Sequence, residues 1–225
     1  MKSIIFNKSI MIVFFVTFFT QCKNESKQIN CEEFNIKSAQ FLEQYYTNHK
    51  KKYLDSASFY IDKGVNNCTK YKNILSLRKL SILAEQQRFL EAIKFIQTFD
   101  KEMFSDLPYY QKLLINRFKV MEAIKENDSI RRDEYLLMCT TLINNYLLAN
   151  KDKADLLLKE SSIEKIMKDP LGTALTQYYY YKSVNNLVEV KRALRKMEEE
   201  RDVNIEYINY LQDYLKTDFM EFDGI

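Results

Sequence analysis

Glycine and proline are scarce in this chain of 225 residues, which holds only 3 of the first and 2 of the second. Sheets with tight turns and loops that cradle phosphates use far more glycine, whereas long helices joined by short links need little. Composition therefore points to an all-α fold. Tryptophan is absent, and His49 is the single histidine. It sits in "TNHKKKY", beside three lysines, and reads as a solvated turn residue. No Ser or Cys nucleophile has a base to pair with, and no cysteine or histidine pair has metal-ligand spacing. The signatures HExxH, GxSxG, GxxxxGK and DxDxDG do not occur. Acidic runs such as Glu32-Glu33 and Glu198-Glu199-Glu200 read as solvated helix ends. The expectation is a chain without catalytic residues, cofactor or metal. Nor is there a long basic block. Of 34 basic residues two fall within residues 1–21, leaving 32 against 31 acids, so nucleic acid is not an expected partner.

Apolar residues make up 46% of the chain and charged residues 29%, enough for a packed core. They recur at steps of three and four, the period of one helix face. Phe34, Ser38, Phe41, Leu42 and Tyr45 form one stripe, and Leu54, Ala57, Ile61 and Val65 the next. Ile74, Leu77, Leu80 and Ala84 follow. Phe89, Ala92, Ile93, Ile96 and Phe99 stripe a helix predicted to run from Arg88 to Met103. Asn66-Asn67 reads as a stop in a residue type that tolerates left-handed φ. Pro108 suits a first helical turn, Asp128 or Ser129 an N-cap, and Asp169-Pro170 a helix start. Leu171, Ala174, Leu175 and Tyr178 mark a later helix, and Leu187, Val190, Leu194 and Met197 another. Ile205, Ile208 and Leu211 mark the last.

The N-terminus is "MKSIIFNKSIMIVFFVTFFTQCKNES". Lys2 and Lys8 precede an apolar run from Ile10 to Phe19, and Cys22 ends it. This order resembles a bacterial lipoprotein signal, with Gln21 where that family favours a small residue. The resemblance implies a signal over residues 1–21, lipidation of Cys22, and an exported protein held at a membrane by its lipid, on an outer-membrane, periplasmic or surface face. Ordinary secretory cleavage and an uncleaved anchor are the alternatives. Residues 22–30 read as a polar tether, and 31–225 as the helical domain.

With Cys22 set aside, Cys31, Cys68 and Cys139 remain. Two antiparallel helices after the tether would bring the start of the first beside the end of the second, where Cys31 and Cys68 fall. A disulfide between them is one reading, and two separate small thiols the other. Cys139, in "YLLMCTTLI", reads as a buried apolar residue.

"YLDSASFYI" and "RFLEAIKFI" resemble each other at an offset of 35 residues. The same offset carries Leu42 to Leu77, Tyr45 to Leu80, Leu54 to Phe89, Ala57 to Ala92 and Ile61 to Ile96. A helix pair therefore repeats. It resembles the tetratricopeptide repeat, whose second helix places an aromatic three residues before a small alanine, here Phe89 and Ala92. That resemblance, over about residues 34–103, implies antiparallel helix pairs stacked as a tetratricopeptide-like array, with Phe89, Ala92 and Ala57 as packing residues; a plain four-helix arrangement, whose antiparallel helices show the same stripes, is the alternative. Arrays of this kind commonly serve as protein-binding scaffolds. The leading expectation is a lipid-anchored, non-enzymatic scaffold for a protein partner that the sequence does not identify. An immunity lipoprotein that neutralises a toxin from competing cells is a second. A carbohydrate- or peptide-binding module is a third, using exposed tyrosines among the 16 present, "QYYYYKS" above all.

Overall fold

The computed structural model describes residues 30–200 and 203–220. Cys22 and the rest of residues 1–29 lie outside them. Ten α-helices and one 3-10 turn, with no strand, occur among the described residues. The first three pairs are α1 (Cys31–Asn48) with α2 (Lys51–Asn67), α3 (Lys72–Glu85) with α4 (Phe89–Ile96), and α5 (Tyr110–Lys125) with α6 (Ser129–Ala149). Two short helices follow, α7 (Lys151–Glu160) and α8 (Ile163–Lys168), then the long α9 (Pro170–Glu200) and α10 (Ile205–Tyr214). Each helix from α1 to α6 packs on the next. α6 then packs on α9, which gathers α7, α8 and α10. The architecture is an all-α stack of helix pairs.

Local chemistry sets the boundaries. Asn30 caps α1 by accepting from the Glu33 N–H at 3.1 Å, and Asp128 caps α6 by accepting from the Arg131 N–H at 3.0 Å. The side chain of Asp169 accepts from the Leu171 N–H at 2.8 Å and so starts α9 at Pro170. The left-handed positions are His49 (φ 50), Gln87 (φ 53) and Asn127 (φ 57). One lies in the turn of each of the first three pairs, where a glycine would be the usual occupant. Cys68, after α2, is extended at φ −125, so the stop at Asn66-Asn67 is not a left-handed one. Pro108 stands two residues before the start of α5 rather than within its first turn. The predicted helix from Arg88 to Met103 breaks after Ile96. The Thr98 hydroxyl donates to the Phe95 carbonyl at 2.7 Å, which competes with the helical bond, and a 3-10 turn follows at Lys101–Phe104.

Three apolar cores lie along the stack. Leu54, Ala57, Ile61 and Leu75 centre the first. Phe89, Ala92, Phe118, Met121, Cys139, Tyr180 and Tyr181 belong to the second, and Ile166, Val190, Leu194, Tyr207 and Leu211 to the third. Each buried large side chain contributes roughly 1.5–3 kcal/mol of transfer free energy. Three residues expected to face inward do not: Ile74, Leu187 and Ile205 are exposed. α3 is wedged between α2 and α4, and its buried positions run almost all round, through Leu75, Ser76 and Leu80 to Ala84. A helix covered on two sides has no single stripe to read. In α10 the buried set starts at Tyr207, two residues after Ile205.

α9 bends at Asn186 (φ −148, ψ 72). The Asn186 side chain accepts from the Glu189 N–H at 3.0 Å, so it serves as an internal N-cap for the second half. Lys182 and Glu189 pair across the bend at 2.7 Å. The two separate stripes in the sequence correspond to the two halves.

Candidate functional site

The packing residues come first. Ala57 and Ala92 have no exposed surface, and Phe89 is buried beside Phe118, with ring centroids 6.3 Å apart. Cys31 and Cys68 are joined as a disulfide with their Cα atoms 5.5 Å apart. Cys139 is a free, buried thiol, pushed by burial up to about 12, which leaves little nucleophilic thiolate. His49 is exposed in the α1–α2 turn. No cluster of three or more His, Cys, Asp or Glu able to hold a metal ion occurs among the described residues.

The tyrosines are mostly structural. Tyr109, Tyr110, Tyr180, Tyr181 and Tyr207 are buried, and Tyr178 and Tyr179 are half-buried. The Tyr109 hydroxyl donates to the Gln177 side-chain oxygen at 3.0 Å, and the Tyr207 and Thr176 hydroxyls lie 3.1 Å apart. Burial holds the Tyr109, Tyr110 and Tyr207 phenols well above the ordinary range. The run in "QYYYYKS" is taken up by packing between α9 and its neighbours, including Phe219, whose ring stacks on Tyr180 at 5.8 Å. Phe219 also lies under the buried Arg117 guanidinium at 5.5 Å. Of the tyrosines in the described residues only Tyr46, near the end of α1, is exposed.

The surface of interest is on α6. Residues 135–150, "YLLMCTTLINNYLLAN", carry no charge. One face of α6 packs inward through Leu136, Cys139 and Ile143. The opposite face carries Ile130, Leu137 and Leu148, which are 81%, 65% and 61% exposed. With Thr141 between them, these positions step by seven, four and seven residues and form one straight stripe. Asp133 and Glu134 are charged residues that flank it, between Ile130 and Leu137. Beside the stripe, α5 and α6 leave a groove of about 500 Å³. Leu137, Met138 and Leu142 line it from α6, and Ile115, Asn116 and Lys112 from α5. Lys112 is the only charged residue in the lining. Further along, the Lys119 ammonium sits 5.2 Å from the Tyr135 ring centre. No described helix, α6 included, is long and apolar enough to cross a membrane.

This face was missed by stripe reading, which looks for the inward set. The signal that finds it is the uncharged run itself. A helix that is apolar on two opposite faces has a second face to cover. Comparison of the chain with family models, with curated proteins and with solved structures finds no match in any of the three.

Proposed function

We propose that the chain is an exported, lipid-anchored scaffold without enzymatic activity, and that the outward face of α6 with the α5/α6 groove receives an amphipathic helix of a partner protein. The observation that carries this is the α6 stripe. From Ile130 to Leu148, 18 steps of 1.5 Å each, the stripe is about 27 Å long, which matches five turns of a partner helix. Its seven-and-four spacing is the seam period of paired helices. The groove beside it has the volume for one or two large apolar side chains as anchors.

The finer description of the array as tetratricopeptide-like belongs to the same proposal. It is supported by the offset pairs Leu54/Phe89, Ala57/Ala92 and Ile61/Ile96, all buried. The left-handed turn that recurs at His49, Gln87 and Asn127 extends the pattern to a third helix pair. Export is supported by the Cys31–Cys68 bridge, because such bonds persist in oxidising compartments.

Two measurements test the reading. A photo-crosslinking residue in place of Thr141 is expected to capture a protein through an apolar-faced helical segment, and Leu137→Asp is expected to abolish the capture with an unchanged melting midpoint. Capture that survives Leu137→Asp rejects the groove. A dimer dispersed by Leu137→Asp, seen by sedimentation, replaces the foreign partner by a second copy. For the anchor, a labelled fatty acid is expected to enter the full-length protein and to be lost in Cys22→Ala; equal label in both removes lipidation from the account.

A further inference from the structure

The second half of α9 and the end of α10 enclose a cavity of about 450 Å³, in the size range of small-molecule sites. Its floor is apolar, made by Leu187, Leu194 and Leu215. Its rim is basic, made by Lys191, Arg195 and Lys216, with Gln212 as the remaining polar group. No carboxylate among the described residues lines it. This is a different surface from the α5/α6 groove, which has one cation and no concentration of charge.

The bend at Asn186 accounts for the opening. The internal cap re-starts the helix at Leu187 in a new direction, and the Lys182–Glu189 pair holds the two halves across the break. Leu187 is left exposed at the mouth, while Leu194 is buried in the third core. Leu215 packs against both the second and third cores and closes the far side.

The state of the cations decides the chemistry. Lys191 and Arg195 are one helical turn apart, so they share a face and repel each other. Glu198 and Glu199 follow Arg195 by three and four residues on the same helix. Even so, no ion pair holds Lys191 or Arg195 among the described residues. Lys216 is engaged with Asp213 on its own helix at 2.6 Å, and both of those side chains are largely exposed. Among the described residues, two cations without an ion pair thus stand over a leucine floor. A guanidinium and an ammonium at one rim are the donors that a carboxylate or phosphate takes, and the leucines are the surface that an acyl chain takes.

We infer that this cavity binds an anionic amphiphile, with a carboxylate or phosphate head between Lys191 and Arg195 and the apolar chain on Leu187, Leu194 and Leu215. A free acyl anion and a membrane phospholipid share that chemistry, and the test separates them. Binding to the full-length protein is measured for decanoate, decyl phosphate, inorganic phosphate and the uncharged decyl maltoside. Vesicles of phosphatidylglycerol and of phosphatidylcholine form the second arm. Lys191→Ala/Arg195→Ala is the variant, both side chains being exposed enough to leave the melting midpoint in place.

The expected result is binding of decanoate and decyl phosphate that weakens by about tenfold or more in the double variant. Decyl maltoside, which also reports any apolar surface elsewhere in the chain, is expected to be indifferent to the substitutions. Leu187→Gln is expected to weaken decyl phosphate and not inorganic phosphate. A matching loss on phosphatidylglycerol vesicles assigns the site to a membrane lipid; vesicle binding unchanged beside lost decanoate assigns it to a free amphiphile. Equal affinity of the wild type and the double variant for decanoate overturns the inference. So does inorganic phosphate binding as tightly as decyl phosphate, or a wild type that binds neither amphiphile.

Discussion

Cys68→Ser is expected to destabilise the amino-terminal end of the stack by about 4 kcal/mol. Cys31 and Cys68 are 37 residues apart in sequence, and closing a loop of that size removes that much chain entropy from the unfolded state. The position magnifies the loss. α1 is the terminal helix and leans chiefly on α2, with Leu42 and Ser38 as its only buried residues. Arg78 of α3 adds a strap, donating to the Asn35 carbonyl, the Asn35 side chain and the Ser38 hydroxyl at 2.7–2.8 Å. Hydrogen exchange is expected to rise most in α1 and α2, and least in α5 and α6, because the third pair sits in a separate core. The denaturation midpoint of reduced wild type should match that of oxidised Cys68→Ser. A wild type whose midpoint ignores reductant would falsify the claim.

The second large effect is at Gly172, in the first turn of α9. A Cβ placed there would collide with the Ile166 carbonyl oxygen of α8, and would sit 2.7 Å from the Ile166 carbonyl carbon and 2.9 Å from its Cγ2. The obstacle is backbone, so no rotamer change relieves it. The Gly172 carbonyl is itself held, accepting from the Thr176 hydroxyl at 2.9 Å. On an exposed helix, Gly→Ala stabilises by up to about 1 kcal/mol through propensity. Here overpacking reverses the sign, and Gly172→Ala is expected to cost about 3 kcal/mol. Gly64 is the internal control. Its Cβ would meet Leu75 Cδ1, the end of a side chain rather than backbone, so Gly64→Ala should cost less. If the two variants melt alike, the close approach of α8 to α9 is not as described.

Those two glycines show where one-dimensional reading stops. Helix existence was legible because each helix of the first pairs repeats its inward residues every three or four positions, and Ala57 and Ala92 are both sealed. The ends were legible where a side chain does the capping, as at Asp128 and Asp169. The turn at His49 was legible from its polar, lysine-rich surroundings, but the end at Gln87 was not, because glutamine gives no notice of left-handed φ. α7 and α8 escaped because they are 10 and 6 residues long, too short to build a stripe. Ile74, Leu187 and Ile205 were placed inward from spacing alone, and tertiary neighbours decided otherwise. The α6 surface and the basic cavity depend on which faces remain uncovered once ten helices are stacked, a property of the assembly and of no single segment.

The bridge at Cys31 also has a mechanical meaning. It stands one residue into the first helix, so a pull on the chain ahead of it enters the domain at a covalent bond. The load passes through sulfur to Cys68 and on into α3, and the 36 residues between the two cysteines are taken out of the path. Tension that would otherwise peel α1 away and then unzip α2 is delivered instead to the middle of the stack, where helices on both sides share it.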